Sequence, residues 1–249
     1  MRFFFQISYK GGRYHGWQKH PGVISVQEII ESALSLILKV GVEIVGCGRT
    51  DAGVHASQFY FHCDLEQNWD FDLGFRINKT LPNDISLLSY FPVSNTAHAR
   101  FDADQRTYQY YIHTYKDPFL TGLSAYYEVK NLNYLVIDQA MLLLLKYNDY
   151  AAYCKSPKNY EHTRCYISKS QCLVSADEKK ILIEISSNRF LAGMIRILVN
   201  KFLDLGTGQW SLDEFEYHLS SCITPALIKP AYPEGLYLTK VNYPFLNIL

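Results

Sequence analysis

Residues Val45–Leu65, "VGCGRTDAGVHASQFYFHCDL", contain the end of one strand, a glycine-rich loop and a second strand. The segments on either side of the loop, "VEIVGC" and "SQFYFHCDL", are rich in β-branched and aromatic residues, which is typical of strands. Gly46, Gly48 and Gly53 allow backbone angles that other residues avoid, or the close approach of another molecule. The loop is therefore either a capped turn or a support for one reactive carboxylate.

The elements around this stretch predict a split βαβ sheet. "RFFFQISY" reads as a strand, and "SVQEIIESALSLILKV" as an amphipathic helix with Ser25 and Glu28 at capping-box spacing. After the central strand, "FDLGFRINKTLPND" predicts a short helix ended by Pro82, and "ISLLSYFPV" predicts another strand. Strand, helix, strand, loop, strand, helix, strand is the element order of a ferredoxin-like sheet.

The second half of the chain repeats this order without repeating the sequence. "RTYQYYIHTY" predicts a strand, "LVIDQAMLLLLKY" a helix, and "CYISKSQCLVS" with "KILIEISSNRF" a hairpin around "ADEKK". "LAGMIRILVNKFLDLG" predicts a helix with Gly206 as its C-cap. In "SLDEFEYHLS", Ser211 and Glu214 again have capping-box spacing. "GLYLTKVNY" predicts the last strand.

These patterns predict an α+β protein. We expect two ferredoxin-like halves with mainly antiparallel sheets, a central cleft between them and helices on the outer faces. Residues 1–102 would form the half that carries the glycine-rich loop, and residues 103–249 the second α/β half.

Composition limits the possible function classes. The 249 residues carry no net formal charge, which argues against broad, non-specific nucleic-acid binding but permits a local basic groove. Tyrosine and phenylalanine are abundant, at 20 and 14. That abundance favours a dense aromatic core over stacking platforms for bases, which remain the alternative.

The cysteines and the apolar runs indicate a cytoplasmic protein. The six cysteines show neither C-x-x-C nor zinc spacing, so reduced thiols are expected. The start, "MRFFFQISYKG", lacks the apolar core of a signal peptide. The longest apolar run, "AMLLLL", is far shorter than the roughly 20 residues that span a bilayer. Eight histidines are scattered, so we expect no metal site; His113 is interpreted as a packing residue.

Arg49 and Asp51 give the loop its chemical interest. Two residues apart on an extended stretch, their side chains would point to the same side. A neighbouring arginine favours the ionised form of a carboxylate, which suits a nucleophile or a base better than an acid. Spacing alone still favours a stabilised turn, in which Thr50 or Asp51 caps the turn and Arg49 pairs with that residue. A carboxylate pair of Asp51 with Asp102 or Asp104, as in a glycoside or nucleoside hydrolase, is a further alternative.

The nine residues "GRTDAGVHA" resemble the catalytic motif of the TruA family of tRNA pseudouridine synthases. "SVQEIIESAL", "INKTLPNDI", "AHARFDADQRTYQYYI" and "GLYLTKVNYP" are similar to further motifs of that family, in the same order along the chain. The resemblance implies isomerisation of uridine to pseudouridine in the anticodon stem-loop of tRNA, at positions 38–40. It also implies that no cofactor is needed and that the enzyme is a homodimer.

The resemblance also implies roles for individual residues. Asp51 would be the catalytic aspartate, Arg49 its ion-pair partner and Tyr108 the side chain that stacks on the uracil. Arg196, in "FLAGMIR", would face Asp51, and Leu236 would form an apolar wall of the uracil pocket. From the basic residues themselves, the candidate contacts to the RNA are Arg13, Lys19, His55 and Arg106, together with Lys10, His20, Lys155, Lys158 and Arg164. For each of the loop charges taken singly, a solvated charge is an equally good interpretation.

Four residues depart from the family pattern and leave alternatives open. Ala192 and Gly193 stand where the family favours bulkier or histidine side chains, and Tyr232 and Glu234 fall within its usual A-P-x-x-G-L segment. One alternative is therefore a paralogue with a shifted RNA target. Another is a tRNA-binding or tRNA-folding protein without catalysis.

Overall fold

A computed structural model describes residues 1–66 and 69–248 of the chain. They form two compact units. The first runs from Met1 to Asp104 and resumes at Tyr237, and the second comprises Gln105–Leu236. Strands and helices are mixed in both units, which confirms the predicted α+β class. The sequence analysis places the last strand with the second half, whereas the structure includes it in the first unit from Tyr237 onward.

The first unit contains the split βαβ sheet that the element order predicts. Its strands are β1 (Arg2–Tyr9), β2 (Val45–Gly46), β3 (His55–Asp64) and β4 (Ile85–Pro92), and its helices are α1 (Val26–Leu38) and α2 (Leu73–Thr80). β1 lies between β4 and β3, and β2 pairs with β3, all antiparallel. The segment "VEIVGC" forms only the two paired residues of β2.

Aromatic side chains pack on both faces of β1. Phe5 stacks on Phe61 with ring centroids 4.9 Å apart, and the Trp17 ring lies 4.0 Å from that of Phe59. On the other face Phe4 meets Tyr243 edge-on at 5.3 Å. The abundance of aromatic residues is thus explained largely by core packing in this unit.

Side chains at the starts of the two helices of the first unit cap them. Ser25 Oγ accepts from the Glu28 amide at the start of α1, at 3.2 Å, and Asp72 caps α2 in the same way. α2 ends before Pro82, as predicted. Glu31, a charged residue of α1, is 8% exposed. Its carboxylate accepts from the Ile44 amide at 3.2 Å and from Gln27 at 2.9 Å.

The second unit is built on an antiparallel strand trio. β5 (Gln105–His113) pairs with β8 (Lys180–Ser187), which pairs with β7 (Ile167–Val174), and the short β6 (Ala125–Tyr126) lies parallel to β5. β7 and β8 form the predicted hairpin. His113 is buried and stacks on Tyr126 at 5.4 Å, so its interpretation as a packing residue is confirmed.

Three helices complete the second unit: α3 (Tyr134–Leu144), α4 (Met194–Gly206) and α5 (Leu212–Ser221). Ser211 and Glu214 form the predicted capping box of α5. The prediction that Gly206 is the C-cap of α4 is wrong. Gly206 is the last helical residue, and a Cβ there would lie 2.8 Å from the end of the Ile137 side chain of α3, so glycine allows the two helices to pack closely without a shift of that side chain. The left-handed residue after the helix is Gly208, with φ +74°.

The last strand, β9 (Leu236–Asn242), lies beside β3 in the first unit. Tyr237 and Leu238 pair in parallel with His55 and Ala56, the residues that follow the glycine-rich loop. The Gln58 side chain also accepts from the Val241 amide at 2.8 Å. The end of the chain therefore supports the strand that leaves the loop.

Candidate active site

The loop between β2 and β3 presents Asp51 at the surface on a fixed backbone. Arg49 and Asp51 are exposed, whereas Thr50 between them is 8% exposed. The Thr50 hydroxyl shares a 2.9 Å hydrogen bond with that of Tyr9, and its carbonyl accepts from the Trp17 amide at 3.1 Å. Because the middle residue is held on both sides, its two charged neighbours extend outward.

Two glycines allow the loop to pack this closely. A Cβ on Gly46 would lie 2.6 Å from the Trp17 ring, which no side chain tolerates without displacement. Gly53 adopts φ +78°, a left-handed conformation that glycine enters without strain. Its amide donates to the Tyr14 carbonyl at 3.3 Å, and the Val54 amide donates to the Asp51 carbonyl at 3.2 Å. The alternative interpretation of the loop as a tight, capped turn is thus partly right, because its backbone forms a hydrogen-bonded turn.

The ion pair between Arg49 and Asp51 stays a prediction. Arg49 remains an exposed cation two residues from Asp51.

Arg13 and Lys19 lie in the loop that packs beside the glycine-rich loop, and each has a carboxylate partner. Arg13 Nη1 lies 3.3 Å from Asp84 Oδ2, and its side chain is 76% exposed. Lys19 Nζ lies 3.3 Å from Glu31 Oε2, and its side chain is 55% exposed. Both retain accessible surface for a phosphate, with part of their charge offset.

His55 is placed inside the first unit. It is 1% exposed, its Nδ1 accepts from the Gly11 amide at 3.0 Å, and its ring stacks on Tyr237 at 4.5 Å. It therefore supports the backbone on either side of the loop. A direct contact of His55 with RNA remains a prediction.

Tyr14 and Asp84 are functional candidates that the sequence analysis did not select. The Tyr14 hydroxyl donates to Asp84 Oδ1 at 2.6 Å, and the Tyr14 carbonyl accepts from the Gly53 amide of the loop. Burial and then the bond to Asp84 raise the pKa of Tyr14. Asp84 belongs to "INKTLPNDI", and its occurrence in a motif was the one signal that could have identified it.

In the second unit, Arg106 and Tyr108 are neighbours on one face of β5. Arg106 Nη1 donates to the Asn188 carbonyl at 3.1 Å, and Tyr108 is half-buried with its ring edge-on to Phe190 at 5.2 Å. Their register partners on β8 are Ser187 and Ile185. The aromatic face of Tyr108 is thus set by the strand and by Phe190.

Arg196 contacts the segment that leads into β9, the strand whose first residue is Leu236. Arg196 Nε donates to the Ala231 carbonyl at 2.7 Å, and the Ala231 amide donates back to the Arg196 carbonyl at 2.8 Å. Leu236, five residues later, is 6% exposed. The departure at Tyr232 has a structural role. The Tyr232 amide donates to the Tyr127 hydroxyl at 3.1 Å, and the Tyr232 carbonyl accepts from the Tyr110 hydroxyl at 2.7 Å.

The departure at Gly193 also has a physical explanation. Gly193 is the N-cap of α4 and adopts φ +70°, the left-handed region that disfavours side chains. A Cβ there would make ordinary contacts with Ile197 and Lys155, at 3.5 and 3.6 Å. Backbone conformation, rather than space, therefore explains the glycine.

Metal and membrane features were searched in the described residues. No three His, Cys, Asp or Glu side chains there are grouped so that they could hold a metal ion. Within residues 1–66 and 69–248, no helix has the length and apolar character to cross a membrane.

Comparison with known proteins gives the family. A family model described as tRNA pseudouridine synthase matches residues 143–244. A tRNA pseudouridine synthase A of Porphyromonas gingivalis is 37% identical over 246 residues, covering 98% of this chain and 97% of the relative. This chain belongs to the tRNA pseudouridine synthase A family. The synthase of Bacteroides fragilis is also 37% identical, over 98% and 96% of the two chains, and that of Gloeobacter violaceus is 32% identical, over 98% and 80%.

Membership of the tRNA pseudouridine synthase A family makes the protein an isomerase that acts on tRNA and forms pseudouridine. The predicted resemblance is confirmed, and the two hypotheses of a hydrolase and of a non-catalytic binder are wrong. The family model matches the part of the chain that holds Arg196 and Leu236. The Asp51 loop lies before that part, within the span that the full-length relatives cover.

Proposed function

We propose that the enzyme isomerises uridines in the anticodon stem-loop of tRNA, at positions 38–40, with Asp51 as the catalytic carboxylate. The observation that supports this most strongly is the loop itself. It exposes Asp51 while its neighbour Thr50 is hydrogen-bonded on both sides, so the carboxylate is presented at a defined point. Positioning of one reactive group is what an isomerase without redox chemistry requires.

The proposed reaction balances with one carboxylate. The N1–C1′ bond of uridine breaks, the uracil turns, a C5–C1′ bond forms, and the proton on C5 is lost as N1 gains one. An ionised Asp51 serves as nucleophile at C1′ or at C6, or as base toward a sugar proton. All three routes use the same carboxylate, so one substitution tests them together.

The other residues would act on the flipped base and its backbone. A base that reacts inside a folded RNA must leave its stack, and an aromatic face lowers the free energy of that state. Tyr108 is proposed to stack on the uracil and Leu236 to form an apolar wall. Arg49, Arg196, Arg13, Lys19, His55 and Arg106 are proposed to contact the RNA.

The proposal also includes a homodimer and a cytoplasmic location. The six cysteines, all in the described part of the chain, are reduced thiols, which suits a reducing compartment. A mass measurement in solution tests the dimer.

The experiment for the substrate site uses purified enzyme with an unmodified tRNA transcript that has uridines at 38, 39 and 40. Pseudouridine mapping should find product at these positions and not at uridines outside the anticodon arm. A second transcript with cytidine at all three positions is the control and should yield no product. Modification in another arm would replace this proposal with the paralogue that has a shifted target.

A further inference from the structure

The backbone of Tyr232, in the second unit, is held by two tyrosine hydroxyls. Tyr110, on β5, has a fully buried side chain whose hydroxyl donates to the Tyr232 carbonyl at 2.7 Å. The Tyr232 amide in turn donates to the Tyr127 hydroxyl at 3.1 Å. Tyr232 lies in neither a strand nor a helix, so these side chains replace the backbone partners that a regular element would supply.

The two hydroxyls also contact each other, with their oxygens 3.4 Å apart. A tyrosine hydroxyl has one proton to donate, and that of Tyr110 is directed to the Tyr232 carbonyl. Tyr127 is therefore the donor between the hydroxyls, and the three bonds close a ring that begins and ends at Tyr232. Burial raises the pKa of Tyr110 and the pKa of Tyr127, so both hydroxyls keep the protons that this ring needs.

The residues after Tyr232 pack directly on the Tyr110 ring. A Cβ at Gly235 would lie 2.7 Å from Tyr110 Cζ and 2.8 Å from the carbonyl oxygen of Tyr111, a distance that side chains do not tolerate. The Tyr127 ring lies 5.0 Å from that of Tyr232. Tyr110 thus fixes this segment both through its hydroxyl and through its ring.

The same segment joins two residues that are proposed to act on the RNA. Ala231, directly before Tyr232, exchanges two hydrogen bonds with Arg196, at 2.7 Å to the side chain and at 2.8 Å to the backbone. Leu236 directly follows Gly235 and is 6% exposed. A shift of the Tyr232 backbone would therefore displace the partner of Arg196 and the side chain of Leu236 together.

We propose that Tyr110 and Tyr127 are positioning residues, which hold the Tyr232 backbone in place for the reaction. Through Tyr232 they set the positions of Arg196 and Leu236. The inference rests on the proposed roles of these two residues at the flipped uracil. Small displacements of such groups lower the rate of the chemical step. Neither tyrosine has to touch the RNA, so the loss of either hydroxyl should slow the reaction at saturating tRNA and leave tRNA binding unchanged.

The first test removes single hydroxyls. Tyr110→Phe should lower the single-turnover rate at saturating tRNA by roughly 3- to 10-fold, the effect of one hydrogen bond expressed as a rate. Its Kd for tRNA should match that of the wild type. Tyr150→Phe is the matched control, because Tyr150 is also fully buried and its hydroxyl donates to the Leu144 carbonyl at 2.6 Å. Both variants should unfold at a lower temperature, but Tyr150→Phe should keep the wild-type rate.

The second test isolates the bond between the Tyr232 amide and the Tyr127 hydroxyl. Tyr232 has φ −58°, which proline adopts, so Tyr232→Pro removes the amide proton and keeps this φ. Tyr232→Ala loses the same ring but keeps the amide. Tyr127→Phe should still slow the reaction when it is combined with Tyr232→Ala. Combined with Tyr232→Pro it should have no further effect, because the bond is already absent.

Equal single-turnover rates in Tyr110→Phe and Tyr150→Phe would overturn the proposal. An equal effect of Tyr127→Phe in the alanine and proline backgrounds would overturn it as well, because the hydroxyl would then act without the Tyr232 amide.

Arg196→Ala and Leu236→Ala separate this inference from the proposed function. Slow turnover in these two variants, with a wild-type rate in Tyr110→Phe, would refute the positioning role alone. Wild-type rates in Arg196→Ala and Leu236→Ala would refute their proposed roles and the inference with them. All rates are measured at the uridine that the wild-type enzyme converts, so a target outside positions 38–40 leaves the comparison intact.

Discussion

The Tyr14 hydroxyl donates a 2.6 Å hydrogen bond to the Asp84 carboxylate, across 70 residues of sequence. The Tyr14 carbonyl accepts a hydrogen bond from the Gly53 amide of the Asp51 loop, and the Lys10 amide donates one to the Asp84 carbonyl. One part-buried contact thus links the segment that holds the Asp51 loop to the residue before β4. Its removal should affect both stability and catalysis.

Tyr14→Phe should lower the free energy of unfolding by about 1.5–3 kcal/mol, because a short, part-buried hydrogen bond to a charged group is lost. Urea denaturation measures this. Tyr115→Phe is the matched control, since that half-buried hydroxyl donates to Asp117 two residues away at 3.2 Å. It should lose less than about 1 kcal/mol. Equal losses in the two variants would contradict the linking role of Tyr14.

Gly46→Ala should destabilise the protein by about 1–3 kcal/mol, because the new methyl group meets the Trp17 ring. Gly48→Ala, two residues later, is the control. No atom lies within 4 Å of a Cβ at Gly48, and alanine there should be neutral or stabilising by up to about 1 kcal/mol. Thermal unfolding of both variants checks the difference, and a Gly46→Ala variant as stable as the wild type would refute the packing argument.

His62 should make the stability depend on pH. Burial lowers the pKa of His62 to about 4, below the roughly 6.5 of an unfolded chain. Between these values the unfolded state binds more protons, so stability rises with pH. The stabilisation is complete above about pH 6.5 and is lost as the pH falls toward 4, by on the order of 2–3 kcal/mol.

Urea denaturation at pH 7 and at pH 5 measures this dependence in His62→Gln. Glutamine does not titrate and keeps an oxygen that can accept from the Ala99 amide, as His62 Nδ1 does at 3.0 Å. The loss of stability between pH 7 and pH 5 should become smaller. His15→Gln, at an exposed histidine, should leave the dependence unchanged. If His62→Gln lost as much stability between pH 7 and pH 5 as the wild type, other groups would cause the pH dependence.

The sequence predicted the elements well because their signals are local. The capping residues Ser25 and Ser211, the β7–β8 hairpin and the order of the split βαβ sheet depend on neighbours within a few residues. The Tyr14–Asp84 bond, the burial of Glu31 and the pairing of β9 with β3 depend on contacts between distant segments. No local pattern encodes them. The prediction for Gly206 was wrong because close packing on Ile137 and a helix end both favour glycine.

The catalytic role proposed for Asp51 depends on the complete motif. Arg49 and Asp51 at this spacing suggested an ion pair, which a stabilised turn would contain as well as a catalytic loop. Nine matching residues, not the charge pattern, favour a catalytic loop over a capped turn.

The measurement that tests the account most directly is single-turnover formation of pseudouridine by Asp51→Asn. The variant should bind tRNA as the wild type does, since the side chains are nearly equal in size. Its rate should fall by at least about 100-fold, the lower end of what a positioned catalytic group contributes. Asp138→Asn, at an exposed aspartate of α3, is the control and should keep full activity. Wild-type rates in Asp51→Asn would contradict the assignment of Asp51 as the catalytic carboxylate.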